Sequence, residues 1–471
     1  MPISVGSPKR PGFPYVRWPL FDAIAIAIAV ALLLPAAAIS SRGRPTARRP
    51  HSTQAPVPSH IPTWAYDDGC NGGVGASGAL VRAWVSFAES NCGSRARKAL
   101  DNCRWRKVTY CIAVEYLDTN WIYADGGVPV ARFAQESWWL HEPGYTDSAH
   151  RIAVASFGGG AILDQSNPEV EAWFRAYVRR HYNQYPALMM DNASASLAAE
   201  LYYAGMASSD EVRTNRQLQI GHERMAAALT HRNGTPFLQV DNALNSNPSV
   251  ASPFPMLNRP WSVFGMLAEG APEDDGTMTK DYATLLDELA YVDATPDDSV
   301  VLLSYDPAGS LQSRRVQAAT EWLGYDGGHV VSWSDLELDS RDLSIWPEEG
   351  IVPTSPIESM AAPGGRGCLA GEGVICSRGG HNGIQVAPDV YRREFADCYY
   401  RSTAIGQCAA VVNASSLPVT VRVSWLRLPY THVITMAGGD VQSGGRVVLS
   451  GAPFLPGVTV IPAHDAILLS R

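Results

Sequence analysis

The chain has 471 residues, of which 46% are hydrophobic and 18% charged, so it is long enough for one large domain and a smaller one. The net charge is −9 and the body of the chain has no long basic run, which argues against a nucleic-acid partner. Thirteen Trp and nineteen Tyr supply flat aromatic faces of the kind that suit sugar rings, although most of them are expected in the core.

The first 60 residues predict export from the cytoplasm. Basic residues precede the apolar segment Ala23–Ile39, and small residues and arginines follow it. This order is typical of a signal peptide, and an uncleaved membrane anchor is the alternative that the sequence leaves open. We therefore predict a signal peptide or signal anchor over 1–40 and a flexible Pro/Ser/Arg-rich linker over 41–60. The body is expected outside the cytoplasm, secreted or anchored, with membrane contact only through this segment if it is uncleaved.

Eight cysteines indicate disulfides in an oxidising compartment. None of them forms a CxxC pair and no His-rich cluster accompanies them, so we expect no metal site and no cofactor. Pairing between neighbours in sequence is our expectation, although sequence alone does not fix it: Cys70–Cys92, Cys103–Cys111, Cys368–Cys376 and Cys398–Cys408.

Seven short apolar runs each end on, or just before, an acidic residue. The runs are Thr63–Tyr66, Tyr110–Val114, Leu188–Met190, Phe237–Val240, Val263–Ala268, Val300–Tyr305 and Val330–Trp333. The acidic residues that follow them are Asp67 and Asp68, Glu115 and then Asp118, Asp191, Asp241, Glu269, Asp306 and Asp335. An eighth run, Ile152–Phe157, ends in glycines. Continuously apolar runs are typical of strands buried on both faces.

Helical stretches separate these runs. We predict helices over Gly78–Asn91, Asn167–Tyr182, Glu211–His231, Thr279–Val292 and Ser310–Leu323. Eight strands alternating with helices predict an α/β fold, a (β/α)8 TIM barrel over residues 61–390. From 391 to 471, short alternating runs with turn residues between them predict a small antiparallel all-β domain, a β-sandwich.

Carboxylates at the carboxyl ends of barrel strands lie where such barrels keep their chemistry. Cleavage of a glycosidic bond needs a protonated acid and an ionised nucleophile or base. Asp191 is the best candidate for the ionised group, and Glu269, two strands further round, for the general acid. Asp241 is the rival second carboxylate. A helix cap for Asp191 and a salt bridge for Glu269 are the structural alternatives.

Other residues near strand ends are candidates for binding substrate. They are Tyr66, Asp67, Asp68, Glu115 and Asp306, together with three tryptophans that offer stacking faces, Trp138, Trp139 and Trp333. Trp138 and Trp139 belong to a long insertion over residues 117–150, and such insertions are often binding loops. If exposed, these two indoles form a platform for sugar; if buried, they belong to the core.

The chain resembles bacterial glycoside-hydrolase-like TIM barrels with a C-terminal β-domain. The residues that carry the resemblance are Met190-Asp191-Asn192, Ala268-Glu269-Gly270, Trp346–Gly350, Tyr391–Phe395 leading to Ala409–Asn413, and Ile461–Leu469. In α-galactosidase-like barrels, a carboxylate after the fourth strand is the nucleophile and one after the sixth is the acid. The resemblance therefore implies these roles for Asp191 and Glu269.

Together these observations predict hydrolysis of glycosidic bonds in an extracellular polysaccharide or glycoconjugate. The expected partner is a carbohydrate substrate. The alternative is a non-catalytic, glycan-binding cell-surface protein on the same scaffold, because a fold does not by itself imply a function.

Overall fold

The structure is a computed structural model. It describes residues 129–152, 161–191, 208–244, 310–325, 347–357, 384–438 and 444–471, the strand segments named below, position 272, and the helical positions 282, 285, 286 and 289. The paragraphs that follow refer to these residues.

Eight parallel strands close into a barrel. They are β1 Thr63–Asp67, β2 Val81–Ser86, β3 Ile112–Asp118, β4 Ala187–Asp191, β5 Leu238–Leu244, β6 Val263–Ala268, β7 Val300–Tyr305 and β8 Val330–Asp335. Each strand pairs with its neighbour in sequence, and β8 pairs with β1. This strand order is that of a (β/α)8 barrel.

The second strand of the barrel is not the one that the sequence predicted. Val81–Ser86 was expected within a helix, and the Ile152–Phe157 run was expected as a strand of the barrel. The barrel closes through Val81–Ser86 instead, and β4 pairs directly with β3. Ile152 pairs with Leu140 in a hairpin outside the barrel. Short apolar runs match helical and strand periodicity equally well, which explains the error.

Three helices are described over their full length: α1 Pro168–His181, α2 Ser208–Ala228 and α3 Leu311–Gly324. They confirm three predicted helices to within a few residues. The Asn167 side chain caps α1 by accepting from the Glu169 N–H, and the Ser310 side chain caps α3 in the same way. A fourth predicted helix, Thr279–Val292, has helical and buried positions at Tyr282, Leu285, Leu286 and Leu289.

Short elements complete the barrel region. The 3-10 helices Pro129–Arg132, Glu136–Trp138 and Ser148–His150 lie in the insertion after β3, and Pro347–Gly350 follows β8. Two small ribbons pair Trp121–Ile122 with Ala161–Ile162 and Glu273–Asp274 with Thr277–Met278. In the described part of the chain, no helix has the length and apolar character needed to cross a membrane.

The C-terminal region is antiparallel, as predicted. Its strands are β9 Ile351–Pro356, β10 Gln385–Ala387, β11 Val390–Tyr400, β12 Thr403–Asn413, β13 Val419–Thr420, β14 His432–Val433, β15 Thr435–Ala437, β16 Arg446–Val448, β17 Val460–Ile461 and β18 Asp465–Ser470. The main sheet has the order β9-β11-β12-β18-β14, with β10 beside β11. It takes in β9 and β10, which the sequence had assigned to the barrel. A further 3-10 helix spans Val423–Trp425.

The main sheet is buried on both faces. Ala410, Val412 and Leu468 share a core with α3, whereas Val411 and Leu469 share a second core with Trp425 and Phe454 on the other face. Alternation along β12 and β18 therefore divides their side chains between two apolar layers. Helix α3 is enclosed between barrel and sheet, and most of its residues are buried.

Charged side chains join α3 to the C-terminal region. Arg314 makes a bidentate ion pair with Glu348, at 2.7 and 2.6 Å, and both side chains are almost fully buried. Arg315 makes a similar pair with Asp465, at 3.0 and 2.6 Å. The disulfide Cys398–Cys408 joins β11 to β12 and confirms one predicted pair. The other three predicted pairs lie outside the described residues.

Candidate functional site

The carboxyl edge of the barrel brings acidic residues of neighbouring strands together. Asp191 is the last residue of β4 and pairs in register with Asp118, the last residue of β3. Neighbouring strands lie roughly 4.8 Å apart, so the two positions are adjacent at the edge where such barrels bind substrate. In the sequence, Asp118 is the second acid after an apolar run, and this pattern alone did not identify it as a site residue.

The helix-facing side of the barrel wall is identified by Gln239. Its side-chain amide donates to the Ala226 carbonyl of α2 at 2.6 Å. Gln239 therefore belongs to the outer face of the wall, which packs against α2. Leu188 of β4 pairs with Gln239 and shares its face, which makes the neighbouring strand position, Met189, an interior one.

Strand alternation then assigns the acidic positions to faces. Position 191 is two residues after Met189 and shares its interior face, and position 118 shares that face through its register with 191. Position 241 is two residues after Gln239 and pairs with Met190, so it belongs to the helix-facing side of β5. The register thus favours Asp118 over Asp241 as the acidic neighbour of Asp191.

Glu115 is fully buried within the wall. It lies three residues before the end of β3 and pairs with Leu188, so it shares the face that carries Gln239. This is a buried position rather than the exposed one that direct contact with a sugar requires.

The other candidates are distributed as follows. Tyr66 and Asp67 end β1, and Tyr66 pairs in register with Asp335 of β8. Trp333 lies in β8, where it pairs with Trp64 and Ser304. Asp68, Glu269 and Asp306 lie outside the described residues, although Glu269 directly follows Ala268, the last residue of β6.

Trp138 and Trp139 are buried, each with 7% of its surface exposed. The Trp138 indole N–H donates to Glu169 at the start of α1 at 2.7 Å, and both rings belong to the main apolar core. Of the two alternatives left by the sequence, this packing corresponds to the core and not to an exposed platform. The two indole rings are buried because the insertion folds back onto α1.

A charged cluster lies beside these tryptophans. The Glu136 carboxylate accepts bonds from both ends of the Arg151 guanidinium fork and is 2.9 Å from His141 Nε2. The Arg151 hydrogen bonds, with a smaller contribution from His141, lower the pKa of Glu136 to about 2. Arg151 also lies over the Trp139 ring, 4.9 Å from its centroid. The cluster is half-buried and fully paired, which indicates a bracing role for the insertion.

The described residues contain no group of three or more His, Cys, Asp or Glu placed to hold a metal ion. What the described geometry defines is a parallel barrel with an Asp pair at its carboxyl edge and a braced insertion after β3.

No protein-family model matches the sequence, and a comparison with curated proteins finds no match. Solved structures give distant likenesses. An α-galactosidase from Lactobacillus brevis has 10% identity over 87% of this chain and 55% of that chain, with a TM-score of 0.38. The glycoside hydrolase domain of PelA from Pseudomonas aeruginosa has 16% identity over 61% of this chain and 99% of that domain, with a TM-score of 0.35. An α-amylase from Malbranchea cinnamomea has 10% identity over 88% of this chain and 96% of the amylase chain, with a TM-score of 0.38.

The chain thus spans about half the length of the α-galactosidase. Likenesses as distant as these support no conclusion about activity, substrate or residue roles.

Proposed function

We propose that this protein hydrolyses glycosidic bonds in an extracellular polysaccharide or glycoconjugate by a two-carboxylate mechanism. The observation that carries the proposal is the position of Asp191, at the carboxyl end of β4 and in register with Asp118. Chemistry in parallel barrels takes place at this edge, and glycosidic cleavage is a reaction that carboxyl groups alone can catalyse.

Asp191 is proposed as the nucleophile or base, and Glu269 as the general acid. Glu269 follows β6, which is separated from β4 by β5 alone. Two strand spacings of roughly 4.8 Å put the carboxyl ends of β4 and β6 about 9–10 Å apart. Two side chains pointing across such a gap reach either the separation of about 5–5.5 Å that suits retention or that of about 6.5–9.5 Å that suits inversion.

Asp118 is proposed to hold a sugar hydroxyl beside the reacting carbon. Its position lies one strand spacing from Asp191 on the same interior face. A carboxylate accepts hydrogen bonds only, so it suits the hydroxyl donors of a sugar ring. Tyr66 and Asp67, at the end of β1, are proposed as further contacts on the other side of the mouth.

The test is a polysaccharide digestion screen on residues 60–471, read as newly released reducing ends. Asp191→Asn and Glu269→Gln are each expected to lower hydrolysis by about 10²–10⁴-fold, because acid–base groups contribute that much. Asp118→Asn is expected to raise KM more than it lowers kcat, and Asp241→Asn, the matched control on the helix-facing side, to change neither by much. Full activity in both Asp191→Asn and Glu269→Gln contradicts the proposal. The alternative of binding without catalysis predicts that wild type and Asp191→Asn retain a glycan equally and release no reducing ends.

We also propose that the body of the protein lies outside the cytoplasm. The Cys398–Cys408 disulfide supports this, because such bonds persist in oxidising compartments. The test is a fusion of residues 1–60 to a reporter enzyme that is active only after export. Export of the reporter is the expected outcome, and reporter activity confined to the cytoplasm contradicts the proposal.

A further inference from the structure

The insertion after β3 carries a braced hairpin, residues 139–152, which we call the finger. Backbone bonds join Ile152 N–H to the Leu140 carbonyl at 2.8 Å and Glu142 N–H to the His150 carbonyl at 2.9 Å. Its tip begins with a turn in which Tyr145 N–H donates to the Glu142 carbonyl at 3.0 Å. Pro143 precedes Gly144, which has a φ of +89°, and this is the sequence signature of a type II turn.

The base of the finger is braced within the insertion by charged and aromatic contacts. Arg151 is held by Glu136 and covers the Trp139 ring, while His141 bonds to the same Glu136 carboxylate. Just before the finger, the Ser137 carbonyl accepts from the Asn167 side chain at 2.7 Å. The finger is therefore attached to the first turn of α1.

This attachment places the finger on the mouth side of the barrel. The chain leaves β3 at its carboxyl end, and α1 then runs back to the start of β4. The first turn of α1 consequently lies at the same end of the barrel as Asp118 and Asp191.

The tip of the finger presents one aromatic ring. Tyr145 stacks on His150 with a centroid distance of 3.7 Å and an interplanar angle of 11°. His150 is in turn held by Asp147 through an Nδ1–Oδ1 contact of 2.8 Å. Tyr145 remains 48% exposed, and because His150 covers one face of its ring, a ligand would stack on the opposite face. A ring with its orientation already fixed loses little conformational entropy on binding.

The surroundings of Tyr145 distinguish between classes of ligand. Its neighbours Thr146, Asp147 and Ser148 are all exposed and polar. An apolar protein partner needs a contiguous apolar patch, which the tip does not provide. A pyranose ring has an apolar C–H face for stacking on the π-system and hydroxyl groups at its rim for polar neighbours.

We propose that the finger is a glycan-binding element in which Tyr145 stacks on a pyranose ring remote from the bond that is cut. This inference rests on the proposed function for its class of ligand, because it takes the bound polymer to be the one hydrolysed at the strand ends. Binding at the finger and hydrolysis at the barrel are nevertheless separate measurements.

The first test is native electrophoresis of the full chain in gels that contain galactomannan, soluble starch or glycol chitosan. Asp191→Asn serves as the background, so that the polymer is not degraded. At least one polymer is expected to retard this protein, and adding Tyr145→Ala should weaken binding about five- to tenfold, the factor that one stacking contact represents. Tyr145→Phe should keep the affinity. Phe133→Ala, which removes another exposed ring (60%) outside the finger, should leave it unchanged.

Two results overturn the inference: no retardation by any of the three polymers, or equal retardation with and without Tyr145→Ala. The second test compares hydrolysis of the retarding polymer with that of a trisaccharide cut from it. Tyr145→Ala should slow hydrolysis of the polymer and spare the trisaccharide. If Asp191→Asn proves fully active while Tyr145→Ala still loses retardation, the proposed catalytic roles fail and the finger inference stands.

Discussion

The buried ion pair between Arg314 and Glu348 should make a large contribution to the integrity of the fold. Each side chain is only 2–3% exposed, and the Gly438 carbonyl also accepts a hydrogen bond from Arg314 at 3.2 Å. Glu348→Ala therefore leaves a buried guanidinium without its carboxylate, and we expect a loss of about 3–5 kcal/mol in the free energy of unfolding. Urea unfolding followed by Trp fluorescence measures this loss, since Trp322 is buried in the same helix.

Two comparisons separate desolvation from attraction in this pair. Replacing both partners, Arg314→Met with Glu348→Leu, removes the charges together, so stability should return to within about 1 kcal/mol of wild type or exceed it. Arg224→Ala breaks an exposed pair with Glu171 that has one contact at 3.2 Å, and it should cost at most about 1 kcal/mol. If Glu348→Ala costs no more than Arg224→Ala, the pair does not contribute as its burial implies.

Three further predictions concern the disulfide, the finger and the α2 contact. Replacing Cys398 and Cys408 together by Ala should lower the free energy of unfolding by about 2–4 kcal/mol in urea titrations, and an unchanged midpoint refutes this. Because Arg151 lowers the pKa of Glu136 from 4.5 to about 2, the carboxylate stabilises the finger fully above pH 4.5 and loses this effect as the pH falls toward 2. Trp fluorescence should report this transition in wild type, whereas Glu136→Gln should show no such transition over that range. Gly221→Ala places a Cβ 2.5 Å from the Ser166 backbone N, so thermal unfolding should reveal about 1–3 kcal/mol of destabilisation, and no shift in Tm contradicts the close approach.

Local signals in the sequence were sufficient for the long helices. The predicted helices that start at Asn167 and at Ser310 match α1 and α3, where both side chains act as caps, and capping depends only on neighbours within one turn. The second barrel strand was not predictable in this way, since Val81–Ser86 is short and apolar and its partners lie elsewhere in the chain. Strand β9 was assigned to the barrel for a similar reason. Its partner in the C-terminal sheet, β11, follows only after a long intervening segment.

The candidate site shows how a small error in a strand end changes its chemistry. The sequence ended the third strand of the barrel at Val114 and so made Glu115 the acid at its mouth, but β3 continues to Asp118. Position 118 is three residues after position 115, an odd step, so the two positions lie on opposite faces of the strand. The order of residues shows that an acid lies near a strand end, whereas only the register with β4 decides which acid shares a face with Asp191. For this reason the sequence identified the edge of the barrel that carries acidic groups, and the pairing of β3, β4 and β5 was needed to rank the acids along it.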